Sequence, residues 1–307
     1  MSGSGALDRR SLVEDARRIE ALGYDVFFVA DHLLKQLAPL PALVSVAEAT
    51  ARLRVGTFVL NNDLRHPAVV AQEITTIDQL TGGRLELGLG AGWNQPEYDR
   101  AGIPFDRPGV RVGRMEEAIR VLKGLMGDGP FNFEGAHYQI REMECWPKPV
   151  QRPHPPLIIG GGGRRVMRLA GREAQILSLA PMIGPEGRPP VRDCLAEGVE
   201  EKIRWAREAA DGRAANLEIV TYTPLLPVTI TDDPRPVLRG VVDLIREAYG
   251  VQVTEDELLD SPHIFVGTVD ALVEKCLALR ERFGISAVNV LGRFEEFAPV
   301  VGRLSGA

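Results

Sequence analysis

The chain has 307 residues, 45% of them hydrophobic and 25% charged, with a formal net charge of −6 at pH 7. That is ordinary globular composition, long enough for a large α/β domain, and its acidic balance argues against a nucleic-acid surface and for a cytoplasmic protein. No apolar run approaches the roughly 18 residues of a membrane span, MSGSGALDRR lacks a signal-peptide core, and Cys145, Cys194 and Cys276 lie too far apart for a CxxC pair, so the expectation is no membrane, no leader, no metal and reduced thiols.

In chain order, residues 8–22 put Leu12, Ala16, Ile19 and Leu22 on one helical face, with Gly23 at the C′ position. A continuous apolar strand, Val26 to Ala30, ends in Asp31-His32. A second helix is expected over Pro39 to Ala51 and a strand over Arg54 to Leu60, closing on Asn61-Asn62-Asp63. Pro67 opens a helix through Leu80 at its N1 position, Thr81-Gly82-Gly83 turns into a strand from Arg84 to Gly90, and a long helix spans about Val110 to Met126. Strands apolar on both faces, alternating with helices, demand a parallel sheet. The rhythm breaks between Gly127 and Pro156, where FNFEGAHYQI reads as a hairpin turning at Glu134-Gly135 and WPKPVQRPHPP as an extended return; this is an insertion at about 127–156.

Pro155 to Gly171, PPLIIGGGGRRVMRLAG, is the most informative stretch. A short β-branched strand meets four glycines, Gly160, Gly161, Gly162 and Gly163, and then a helix opening on Arg164-Arg165 and stopping at Gly171. Such a turn lets backbone amides and the positive end of a helix meet an anion, with Arg164 adding charge; the alternative is a tight turn needing glycine only for its φ angles. The motif is neither GxGxxG nor a Walker loop. Further strands are expected over Gln175–Leu179, Leu217–Thr223 and Ala287–Val290, and helices over Val191–Ala210 and Val269–Phe283. A second insertion covers about 231–262, with a helix near Val237–Tyr249.

Seven strands with interleaved helices fit a (β/α)8 TIM-type barrel lacking its first strand, a single barrel domain over 1–307, better than a doubly wound sheet. Every strand's C-terminal end then faces one mouth, where Asp31-His32, Asn61, Gly90 to Asn94, Gly160 to Gly163 and Ser178 converge.

Those strand ends carry a known pattern. VADHL, GTFVLNNDLRHP, GGRLELGLGAGWNQPEY, VQRPHPPLIIGGGG and SPHIFVGTVDALVEKCLALRERFGIS, in that order, resemble the luciferase-like monooxygenase superfamily, and most closely its branch of coenzyme F420-dependent oxidoreductases. The likeness covers about residues 10–292. It implies a deazaflavin, coenzyme F420, or in the alternative FMN, lying across the mouth. By the same likeness Gly160 to Gly163 hold its phosphate, and Phe58, Val59 and Leu60 form a bulge, often with a non-prolyl cis peptide, behind the ring. Asn61 hydrogen-bonds the ring, Gly90 and Ala91 belong to the rim, and Asp31-His32 form an acid–base pair. Trp93 stands where the sugar-phosphate dehydrogenases of the superfamily carry a catalytic glutamate, which argues against that activity. Gln175 replaces a common aspartate.

The implied function is hydride transfer between F420 and a small organic substrate; the alternatives are an FMN-dependent monooxygenase and a non-catalytic flavin-binding relative. On the residues alone, His32 is the candidate acid–base with Asp31 orienting it, against a histidine satisfied by its loop. Trp93 and Tyr98 either wall a substrate pocket or pack under the insertion. His66 reads as a helix-entry residue; His137, His154 and His263 receive no chemistry. Arg111, Arg114 and Arg120 with Glu116-Glu117 read as a solvated helix face. Gly162→Asp is expected to weaken cofactor binding more than folding, and His32→Ala to lower turnover. The expected partner is a small-molecule substrate; assembly stays open, a homodimer included. Met1 to Ala6 suits a mouth loop and not a buried strand, so the expectation is a natural chain beginning some ten residues earlier, with Val26 to Ala30 as an exposed edge.

Overall fold

The computed structural model describes residues 6–183, 189–224 and 226–305. Of the expected mouth loop, Met1 to Ala6, residues 1–5 lie outside them. Helix α1 (Arg9–Ala21) is capped by Asp8, whose carboxylate accepts the Arg10 and Ser11 amides, and ends with Gly23 at φ +86°. Strand β1 (Val26–Val29), helix α2 (Pro39–Ala49) and strand β2 (Arg54–Thr57) follow. The strand expected to run on to Leu60 breaks there and resumes as β3 (Leu60–Asn61). Pro67 opens α3 (Pro67–Leu80), which leads to β4 (Leu85–Gly90), all six residues buried. A short helix α4 (Gln95–Ala101), unforeseen in the sequence, precedes α5 (Pro108–Met126). The first insertion is the expected antiparallel hairpin, β5 (Phe131–Glu134) and β6 (Gln139–Met143).

The βα rhythm resumes with β7 (Leu157–Gly161), α6 (Arg164–Glu173) and β8 (Ile176–Leu179). Gly171 does not stop α6. It lies inside the helix, where a Cβ would fall 2.0 Å from the Ala206 carbonyl oxygen of α7 (Ala196–Ala209); its role is close helix approach. Beyond β9 (Glu218–Tyr222), the second insertion holds β10 (Thr229–Ile230), α8 (Arg235–Tyr249), α9 (Glu255–Asp260) and β11 (Val266–Gly267), the two strands pairing in parallel. Helix α10 (Val269–Phe283), strand β12 (Ile285–Asn289) and helix α11 (Phe294–Leu304) complete the chain.

The main sheet is parallel, in the order β1-β2-β4-β7-β8-β9-β12, with β3 also on β4. It is a curled seven-stranded half-barrel, as the repeated βα units require. Inside the curl Phe28, Ile158, Ile176 and Val220 pack together with Phe58 against them; outside, the helices bury the larger core. Strand β1 ends the sheet but is not exposed. Phe27, Phe28 and Val29 are buried, because alternate side chains enter the curl and the core beneath α1 and α2. No helix among the described residues is long and apolar enough to cross a membrane.

Candidate active site

The C-terminal strand ends meet at one mouth, and the interruption between β2 and β3 supplies its floor. The Phe58–Val59 peptide is cis. Glycines let the backbone come close beneath Val59: a Cβ on Gly90 would lie 2.6 Å from Val59 Cγ2, and one on Gly160 3.3 Å from Cγ1. Ser178, paired with Gly160 in the sheet and buried, continues that floor. The Phe58 ring lies 5.1 Å from that of Phe28 and 5.8 Å from that of Tyr222. Leu60 does not face the mouth with its side chain; that side chain is buried in the outer core, because β3 resumes pairing with Leu60 opposite Leu89.

Asp31 and His32 are adjacent in sequence but do not form the expected pair. The Asp31 carboxylate is buried and takes two bonds from Arg65, 2.6 Å to Nη1 and 3.2 Å to Nη2, plus the Asn61 amide at 3.0 Å. That bidentate fork fixes the chain around Asn61. The carboxylate beside His32 is Glu97, whose Oε1 lies 2.8 Å from Nδ1, with the His32 side chain one quarter exposed and that of Glu97 buried. Glu97 also accepts the Leu33 amide at 3.0 Å and the Asn94 side-chain amide. Trp93 stands edge-on to His32, ring centroids 5.8 Å apart, and is half exposed. The sequence did carry a signal for Glu97: Asn94-Gln95-Pro96-Glu97 has the N-cap residue, early proline and N3 acid of a helix start.

Asn61 receives the Tyr98 hydroxyl at 2.9 Å and the Asp63 amide at 3.1 Å on Oδ1, which turns its amide nitrogen away from both. Tyr98 is fully buried, edge-on to Phe105 at 4.8 Å, so it supports Asn61 from behind and does not wall a substrate pocket. Burial and the neighbouring Asp63 carboxylate raise its hydroxyl's pKa well above the usual tyrosine range. The expected solvated face of α5 is also corrected. Arg111 is buried over the Phe105 ring, donating to the Ala91 carbonyl at 3.2 Å and the Gly92 carbonyl at 3.3 Å. Arg114 pairs with Asp63 at 2.8 Å and with Asp106. Glu117 is buried and accepts the amides of Ala136, His137 and Tyr138, tying down the hairpin. His66 is the expected helix-entry residue, accepting the Ala68 amide at 3.2 Å.

In the glycine turn, Gly163 heads α6 at φ −81° without a side-chain cap, and a Cβ there would meet nothing within 4 Å. Gly162 is the opposite case: its Cβ would fall 2.3 Å from the Met182 nitrogen, so a substitution there disturbs the fold as well as any ligand. Met182 is itself held by Asp193, which accepts its amide at 2.7 Å and pairs with the buried Lys202 at 3.0 Å. Arg165 turns to Glu116 at 2.7 Å, whereas Arg164 is exposed and makes no ion pair among the described residues. An uncapped helix start, an open approach and one uncommitted arginine fit a phosphate-bearing group.

Comparison with known proteins agrees with this architecture. The family model for luciferase-like monooxygenases matches residues 1–287. Relatives include an FMNH(2)-dependent dimethylsulfone monooxygenase of Pseudomonas putida, 38% identical over 40% of this chain and 34% of the relative. An F420-dependent glucose-6-phosphate dehydrogenase of Amycolatopsis mediterranei is 35% identical over 53% and 51%, and that of Intrasporangium calvum 30% over 68% and 64%. The matched part thus spans from one third to just under two thirds of these relatives. Among solved structures, the coenzyme F420-dependent tetrahydromethanopterin reductase of Methanopyrus kandleri superposes with a TM-score of 0.74 at 18% identity, covering 98% of this chain and 95% of that one. A long-chain alkane monooxygenase gives 0.73 at 16%, covering 97% and 84%. The half-barrel, its glycine-floored bulge and the matching family model lead to one conclusion: the chain belongs to the luciferase-like monooxygenase family.

Proposed function

We propose that this protein is a cytoplasmic oxidoreductase that passes a hydride between coenzyme F420 and a small, uncharged organic substrate. The observation that carries the reading is the meeting, at one mouth, of His32 with an open, uncapped helix start, across a floor of Val59, Gly90 and Gly160. Two F420-dependent relatives at 30% and 35% identity support its cofactor, though not its substrate. The deazaflavin, when bound, supplies the two-electron chemistry. The chain's residues bind and manage the proton. Gly163, Arg164 and the first amides of α6 take the phosphate, and Phe58, Val59 and Asn61 back and hydrogen-bond the ring. His32 gives or takes the proton at the substrate's oxygen. Half-exposed Trp93, Leu33 and Leu34 offer that substrate apolar surface. Arg65, Arg111 and Arg114 are all committed to protein partners, and by the resemblance Trp93 stands where the sugar-phosphate enzymes carry a glutamate; both features favour an uncharged substrate.

The second reading, an FMN-dependent monooxygenase, is favoured by the 38%-identical relative. Titrating the purified protein with each cofactor separates them. The expected result is saturable binding of F420, at least about tenfold tighter than FMN, and oxidation or reduction of bound F420 by members of an alcohol, aldehyde and ketone panel. Tighter FMN binding with oxygen-dependent turnover overturns the F420 reading. Binding without turnover of any kind leaves a flavin-binding relative that has lost catalysis.

A further inference from the structure

We propose that Glu97 is the positioning residue for His32, holding its imidazole as the Nδ1–H tautomer so that Nε2 is the proton acceptor at the mouth. The inference rests on the redox reading above for its consequence in turnover, but not for its geometry. Its first support is the direction of the hydrogen bonds. The Glu97 carboxylate is buried and already meets two donors, the Leu33 amide on Oε2 and the Asn94 side-chain amide on Oε1. A carboxylate only accepts, and in this assignment the His32 nitrogen 2.8 Å from Oε1 donates to it. A neutral imidazole carries one N–H. With that proton on Nδ1, Nε2 holds the lone pair, and it bonds to no described residue.

The second support is what Asp31 cannot do. It is the sequence neighbour that a pattern reading selects, yet both its oxygens are engaged by Arg65 and one also by the Asn61 amide. The third is the edge-on Trp93, which together with the Glu97 bond limits the rotation of the His32 ring. The chemistry follows. An alcohol oxidised at its carbon must lose its O–H proton as the C=O bond forms; a bound deazaflavin would supply the two-electron acceptor. Nε2 takes that proton, and the imidazolium so formed keeps its Nδ1–H bond to Glu97. In the reverse direction the same nitrogen returns the proton to a carbonyl oxygen.

The tautomer can be read without cofactor or substrate. Ring nitrogens of 15N-histidine-labelled protein are recorded in mildly alkaline buffer, with His32→Gln assigning the signals. The expected spectrum shows His32 protonated at Nδ1, and Glu97→Gln moves the proton toward Nε2, the form favoured by free histidine. A wild-type His32 protonated at Nε2 overturns the proposal even if no variant folds, as does an unchanged tautomer in folded Glu97→Gln. With F420 and an active substrate, Glu97→Gln is expected to lower kcat by about 100-fold with cofactor affinity within about threefold, and Glu97→Asp to recover part of the loss. Turnover unchanged in Glu97→Gln overturns it too. Failure of the redox reading is a different result, absence of F420 binding by the wild type, and it leaves the tautomer measurement standing.

Discussion

Gly163 is the residue at which ligand binding and folding can be pulled in opposite directions. Its φ of −81° suits any residue and a Cβ there meets open space, so Gly163→Asp fits without strain. Aspartate is a good N-cap and its charge favours the helix start, so stability should hold or rise by about 0.5 kcal/mol. The same charge would face the cofactor's phosphate, so affinity should fall at least about tenfold. Thermal melting and cofactor titration of the same sample check both halves, and unchanged affinity would remove the phosphate from α6. At this scale the sequence was legible where chemistry announces itself. His32, Asn61 and the glycine turn stand out because polar residues interrupt buried strands. What was illegible was partnership. Asp31 reaches forward to Arg65, and His32 pairs across the mouth with Glu97, sixty-five positions away, because strand ends far apart in sequence converge in a barrel. Arg111 and Arg114 read as surface residues because charge pattern alone cannot show that the Asp63 and Asp106 carboxylates and three carbonyls await them.

Among elements, the packing of α6 on α7 makes a contrast that propensity cannot predict. Alanine normally stabilises a helix interior by about 1 kcal/mol relative to glycine. At Gly240, inside α8 with nothing within 4 Å of a Cβ, Gly240→Ala should give most of that gain. At Gly171 the added methyl would strike the Ala206 carbonyl, so Gly171→Ala should cost about 3 kcal/mol by forcing the helices apart. Denaturant midpoints of the two variants should therefore move in opposite directions; a stabilised Gly171→Ala would mean that the crossing is loose. The long periodic helices and doubly buried strands were legible, since apolar runs and 3.6-residue periods survive without context. Gly171 was misread as a stop because a glycine needed for helix contact looks the same in sequence as one that ends a helix. Helix α4 hides behind Pro96, and α11 carries Pro299 inside it. The pair β10–β11 is two residues per strand, too short for any pattern.

The described residues form three apolar clusters of unequal size. The largest lies between the sheet and its helices, a small one fills the curl, and a third joins Val191, Leu238, Ile245, Val253, Leu258, Ile264 and Val266 around the second insertion. Helix α8 contributes only Leu238 and Ile245 as buried residues, so its amides should exchange through an opening smaller than global unfolding, whereas those of β4 should need the whole sheet to open. The contact between the half-barrel and the second insertion includes His263, fully buried, with Nδ1 3.0 Å from both the Thr221 hydroxyl and the Tyr222 carbonyl of β9, and Nε2 without a partner among the described residues. Burial pushes its pKa down to about 4; the Tyr222 carbonyl and Asp193 oppose that shift, and the cations of Lys202 and Lys275 add to it. The closed form therefore holds a neutral imidazole, and an opened segment binds a proton below pH about 6.5. The sign follows: full stability above that value, lost progressively as pH falls toward about 4. Between pH 7 and pH 5 the opening free energy of the α8 amides, after correction for intrinsic exchange, should fall by about 2 kcal/mol. His263→Gln, which takes up no proton, should flatten that dependence while leaving β4 protection at neutral pH close to wild type. An opening energy that does not change between the two pH values would show that the insertion opens without exposing His263, which stays buried and neutral.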